Sequence, residues 1–140
     1  MRIICLDYGD KRIGVAVSDP LGITAQGVGV IVRQNGFDTD LEELKKMLSK
    51  YDDVAEIVVG LPRTLKGEIG PAAQKTLEFV DHLKASFDIP IKTWDERLTT
   101  VLAQRAMTEA GVSVKAGRSS IDMKAAAFIL QSYLDGMKAK

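Results

Sequence analysis

Four carboxylates stand at positions where an acid is costly or conspicuous. Asp7 interrupts the apolar run Ile3-Ile4-Cys5-Leu6, Asp95 and Glu96 close the short segment IKTWDE, and Asp122 leads an apolar helical stripe. An acid inside a buried strand needs a partner. Acids brought together repel one another and raise one another's pKa, and a hard divalent cation removes that penalty. Ligands made only of carboxylate oxygen suit Mg²⁺ or Mn²⁺, each ion taking one or two carboxylates and filling its shell with water and phosphate. Two such ions about 3.5–4 Å apart would activate water and stabilise the leaving oxygen in phosphodiester hydrolysis. The expected metal ligands are Asp7, Glu96 and Asp122.

The elements that must position these acids follow from the pattern of apolar residues. Residues 2–8, 12–18 and 25–33 read as strands, joined by Gly9-Asp10-Lys11 and by Asp19-Pro20-Leu21-Gly22. Connections this short make an antiparallel meander. Leu41, Leu44, Met47 and Leu48 define a helix over 38–50 with an acidic outer face, capped by Asp38 or Thr39. The run AEIVVGLP fits a strand buried on both faces. Pro71 suits the first turn of a helix reaching about residue 87, and Pro90 precedes a fifth strand over 91–96. Thr99 and Thr100 cap a helix over 100–110, and a last helix runs from about 120 to 136. The order βββαβαβαα predicts one α/β domain over residues 1–140. Its mixed five-stranded sheet has strands 1–3 antiparallel, strands 4 and 5 parallel, and helices on its flanks.

Crevices in such sheets open outside the carboxyl ends of the strands. Asp7 and the Asp95-Glu96 pair belong there. Steps of four, seven and eleven from Asp122 reach Ala126, Ile129 and Tyr133, so Asp122 shares the buried face of its helix. Ala125, Ala126 and Ala127 are small enough for that helix to approach the sheet. Successive strand residues face opposite sides, so only one of Asp95 and Glu96 shares the face of Asp7 in a regular strand. The longer Glu96 is favoured, with Asp95 kept as a candidate catalytic acid. Lys11, Arg12, Arg63, Lys66, Arg97 and Arg118 fall in turns or at element ends around the acids, where they could hold phosphates.

Net charge is zero, yet residues 36–56 hold seven acids and three bases, whereas residues 97–140 hold seven bases and three acids. The C-terminal third is the expected polyanion-facing side. Cys5 is the only cysteine, which excludes an internal disulfide and suits a buried structural thiol. No apolar run is long enough to cross a membrane and no signal pattern opens the sequence, so a cytoplasmic address without a membrane partner is expected. His82 reads as a surface residue. The GxxG within LKGEIGP reads as a flexible loop of about ten residues rather than a backbone clamp.

The segments LDYGDKRIGVAVSD, IVVGLPRTLKGEIGP, TWDERLTT and SSIDMKAAAFILQSYLD together resemble the YqgF family, also called RuvX. Its members are described as Holliday junction resolvases or pre-16S rRNA nucleases. The resemblance covers essentially the whole chain in order. It implies a ribonuclease H-like fold and a metal-dependent nuclease site on Asp7, on Asp95 or Glu96, and on Asp122. It further implies a nucleic-acid substrate, either pre-rRNA, with ribosomal precursor particles as partners, or branched DNA. Cutting a junction needs two coordinated sites and hence a homodimer, whereas rRNA trimming works in a monomer. RuvC-like enzymes carry an acid at the end of the fourth strand, where this sequence has Gly60-Leu61-Pro62, so that role is either taken by the DER segment or missing. An Asp-x-Gly hairpin also occurs in actin-like ATPases, but 140 residues without a repeat leave no second domain for the nucleotide. A non-catalytic nucleic-acid-binding module is the other reading.

Overall fold

The apolar runs become a central sheet because they are buried on both faces. In the computed structural model, which describes residues 1–34, 36–98 and 117–138, β1 (Arg2–Tyr8), β2 (Arg12–Ser18) and β3 (Ala25–Val32) form the meander. α1 (Phe37–Leu48), β4 (Val54–Leu61), α2 (Pro71–Ser86) and β5 (Ile91–Asp95) follow, then a 3₁₀ turn over Glu96–Leu98 and α3 (Gly117–Lys138). The strand order is β3-β2-β1-β4-β5. β1 pairs antiparallel with β2 and parallel with β4, and β4 pairs parallel with β5.

Alternation along β1 splits the core in two. Ile4 and Leu6 join Ile57, Val59, Phe79 and Leu83 under α1 and α2. Ile3 and Cys5 join Ala16, Val58, Ala126, Ile129 and Leu130 under α3. Asp7 continues the second series and therefore lies on the α3 face. Side chains such as Phe79 and Leu130, fully buried here, each contribute about 1.5–3 kcal/mol by leaving water.

Several local expectations change. α1 starts at Phe37 with Gly36 as its N-cap, at φ 104°, and no side chain caps it, so neither Asp38 nor Thr39 has that role. Its acids are not all on the outer face either. Asp40 is buried and accepts a 2.8 Å hydrogen bond from Arg33 Nε, while the same guanidinium lies over the Tyr8 ring at 4.6 Å. α3 is longer at both ends than its apolar stripe suggests. The helix predicted over 100–110 and its caps Thr99 and Thr100 lie outside the described residues. Among the described residues no helix is long and apolar enough to cross a membrane.

Candidate active site

The carboxyl ends of β1, β4 and β5 lie side by side, and two acids meet there. Asp7 is the penultimate residue of β1. Glu96 is supplied by the 3₁₀ turn that begins where β5 stops, at Asp95. Trp94 holds that end of β5 against α3: its indole N–H donates to Ser132 Oγ at 3.2 Å, and its ring meets Tyr133 edge-on at 5.4 Å. The Trp94 ring fits because position 136 is glycine, where a Cβ would come within 2.9 Å of it.

Gly60 gives Glu96 its room. A Cβ there would lie 3.0 Å from Glu96 Cγ and 3.0 Å from Ile129 Cδ1. The turn after β5 thus sends the Glu96 side chain across a position at the end of β4 that has no side chain. Asp7 and Glu96 share a hydrogen bond. Burial first, and then the Asp7 charge, pushes Glu96 up to about 7. Burial also raises Asp7, opposed by that hydrogen bond and assisted by the nearby charge of Asp122. The shared hydrogen bond raises Glu96 and lowers Asp7, the pattern of a proton held on the Glu96 side of the pair. Beneath them Cys5 is fully buried, and burial with the two acids raises its thiol well above the ordinary range, which makes it inert.

Asp122 reaches the same region by another route. Gly14 is the cross-strand partner of Asp7, and a Cβ on Gly14 would collide with the backbone carbonyl of Asp122. A Cβ on Gly27 would lie 2.8 Å from the carbonyl of Met123. Two strand glycines, more than the alanine run on the helix, seat α3 on the sheet. The Asp122 carboxylate, however, accepts a 2.7 Å hydrogen bond from Arg12 Nε. Among the described residues no group of three or more His, Cys, Asp or Glu side chains is arranged to hold a metal ion. Of the three expected ligands, Asp7 and Glu96 form a half-buried pair and Asp122 is ion-paired with Arg12.

The other predicted residues divide clearly. Asp95 is bound by Arg97 through Nε at 3.0 and 3.1 Å and Nη2 at 2.6 Å, and accepts the Arg97 backbone N–H at 3.0 Å. These bonds, led by the side-chain hydrogen bond, hold Asp95 below its usual pKa. Strand alternation did not select between Asp95 and Glu96, because the strand ends between them. Arg97 packs on Gly67, where a Cβ would lie 3.0 Å from Nη1. Arg63, Lys66 and Lys11 are exposed. Arg118 falls in the first turn of α3, with its side chain outside the described residues. The loop after β4 has hydrogen bonds of its own: Thr64 N–H to Glu68 O at 3.0 Å, Gly67 N–H to Thr64 O at 2.8 Å and Glu68 N–H to Thr64 Oγ1 at 3.1 Å. The GxxG glycine Gly67 turns it at φ 84°. His82 is exposed and stacks on Phe37 at 4.1 Å.

A sheet of order 3-2-1-4-5, with acids at the carboxyl ends of β1 and β5 and a helix bringing another across the same face, is the ribonuclease H-like α/β arrangement. RuvC from T. thermophilus, solved with a Holliday junction substrate, superposes with a TM-score of 0.61 over 99% of this chain and 96% of its own, at 14% identity. The fowlpox virus Holliday junction resolvase gives 0.58 over 98% and 99%, at 12% identity. At such identities the likeness is one of fold. The RuvX family model, described as a Holliday junction resolvase, matches residues 1–136, and the chain belongs to that family. A Halothermothrix orenii protein named "Putative pre-16S rRNA nuclease" is 53% identical over 135 residues, covering 96% of this chain and 95% of that one.

Proposed function

We propose that this protein is a Mg²⁺- or Mn²⁺-dependent endonuclease that hydrolyses phosphodiester bonds in structured RNA, acting at the 5′ end of pre-16S rRNA. The observation that carries the reading is the Asp7–Glu96 pair: two half-buried carboxylates close enough to share a hydrogen bond at the carboxyl ends of β1 and β5. A structural acid pair has no need of such a position. The donor set is the one a hard divalent cation takes, because a cation can replace the shared proton and ionise both groups. The RNA assignment rests on the name of the H. orenii relative and its nearly full-length similarity.

A bound cation, or two, would supply the charge that makes an attacking water nucleophilic and stabilises the departing oxygen. The chain's own residues do the rest. Glu96 gives up its proton, so the pair becomes a dianionic ligand set, with Asp122 as the third acid. Arg63 and Lys66, exposed on the loop after β4, bind flanking phosphates as a forked and a point donor, Arg63 exchanging its long 3.5 Å bond to the Gly67 carbonyl for a phosphate oxygen. Arg97 keeps Asp95 occupied and out of the ligand set.

The test incubates the protein and its Asp7→Asn variant with 5′-extended 16S precursor RNA and, in parallel, a four-way DNA junction, each with Mg²⁺, Mn²⁺ or EDTA. Cation-dependent cutting of the RNA, absent from the variant, is the expected result. Cutting of the junction instead transfers the activity to DNA and requires a dimer. Binding without cutting of either overturns the nuclease reading.

A further inference from the structure

Asp122 and Arg12 are 110 residues apart in the chain, and each side chain is about a quarter exposed, at 27% and 26%. Arg12 opens β2 directly after the turn that follows Asp7, and its carbonyl accepts the Gly9 N–H at 2.9 Å, which fixes it relative to the end of β1. Gly14 seats the Asp122 backbone beside Asp7. The backbone of the third acid is therefore in place while its carboxylate is taken by a guanidinium. Arg12 holds the carboxylate through its Nε at 2.7 Å, and guanidinium donors of this kind bind a phosphodiester as well.

We propose that Arg12 is a positioning residue that latches Asp122 away from the Asp7–Glu96 pair, and that a nucleic-acid phosphodiester releases the latch by drawing the guanidinium onto its own oxygens. The inference rests on the cation-dependent reading above and adds its regulation: the third carboxylate joins the cation site when substrate arrives. Substrate and cation then tighten each other's binding reciprocally. A latch closed in about nine molecules of ten weakens apparent cation affinity about tenfold.

Mn²⁺ titration calorimetry on the full chain tests this, with and without a cleavage-resistant phosphorothioate oligonucleotide. The wild-type protein is expected to bind Mn²⁺ about tenfold more tightly with the oligonucleotide present. Arg12→Gln is expected to bind it that tightly alone and to lose the oligonucleotide's effect. The gain should vanish in Arg12→Gln/Asp122→Asn, because the latch acts only through Asp122. Arg12→Lys keeps the charge without the planar fork and should fall between wild type and the Gln variant.

Wild-type affinity in Arg12→Gln overturns the latch. So does a gain that persists without Asp122, which would mean that loss of a positive charge alone explains it. Asp7→Asn separates the two levels of inference. If wild type and Arg12→Gln bind Mn²⁺ no better than Asp7→Asn, the cation site itself is wrong and the latch falls with it.

Discussion

Glu96→Gln should make the cation-free protein more stable above neutral pH while removing its activity. Glu96 is raised from 4.5 to about 7 in the folded state, chiefly by burial. Between those values the native protein holds more protons on this group than the unfolded chain does, so stability falls as pH rises across the window and the whole loss is present above pH 7. Fully felt, that rise would amount to a few kcal/mol at most. Partial exposure to solvent reduces the working figure to about 1–2 kcal/mol. Gln presents its amide N–H to Asp7 at every pH and never ionises. At pH 8 in EDTA the variant should therefore melt about 3–8 °C above wild type, and at pH 4.5 the two should coincide. The assay is a series of thermal melts from pH 4.5 to 8.5 at constant ionic strength, repeated with Mg²⁺ or Mn²⁺. The cation should raise the wild-type Tm at pH 8 and leave the variant unmoved. A wild-type-minus-variant difference that does not change with pH would refute the shared-proton account, as would a variant less stable at pH 8.

Three further perturbations probe the scaffold. Gly60→Ala puts a Cβ 3.0–3.1 Å from Glu96 Cγ and Cδ and from Ile129 Cδ1. It should cost about 1–3 kcal/mol and weaken Mn²⁺ binding by displacing Glu96; calorimetry unchanged from wild type would refute the seat. Asp40→Ala removes the ion partner of Arg33, whose side chain is 16% exposed, and should cost about 3–5 kcal/mol in urea unfolding; a loss below about 1 kcal/mol would mean that the bond to the Gly9 carbonyl and the cation–π contacts suffice to hold Arg33. Phe79→Ala removes a fully buried ring stacked on Tyr8 at 4.4 Å and should lower stability by about 3–5 kcal/mol, with nuclease activity at low temperature retained because Tyr8, not Asp7, faces that side.

The sheet was legible in the sequence because its central strands are buried twice. IICL and EIVVGL are runs with no polar face, and the turns between the first three strands are too short for anything but a meander, so strand order followed from connection length. The acids were legible one at a time, through the cost of placing a carboxylate at the end of such a run. Their mutual geometry was not. The alternation that should have separated Asp95 from Glu96 ends at Asp95, and a 3₁₀ turn redirects the next residue across Gly60. A turn of three residues leaves no periodic signal. Gly14 and Gly27 were readable as weak points in strands but not as seats for a helix a hundred residues later, because close backbone approach depends on both surfaces. The Arg12–Asp122 pair joins the two ends of the chain, and no local pattern encodes it.

An acid on the turn after β5, beside a β4 that ends in Gly60-Leu61, is held differently from one on a strand. An Asp fixed on a strand beside Asp7 would face it at a distance set by the sheet. Glu96 instead reaches in on a longer side chain from a turn, over the bare Gly60, and its placement depends on Trp94 being held against Tyr133, Ser132 and Gly136 of α3. The same helix supplies Asp122. Both candidate acids near Asp7 thus depend on α3 for their placement, Asp122 as part of the helix and Glu96 through the strand end it clamps. The small residues where α3 meets the sheet, Gly14, Gly27, Ala126 and Gly136, then set the separation of the carboxylates as well as the packing of the core. A substitution that lifts α3 by even one methyl group should disturb cation affinity before it unfolds the domain.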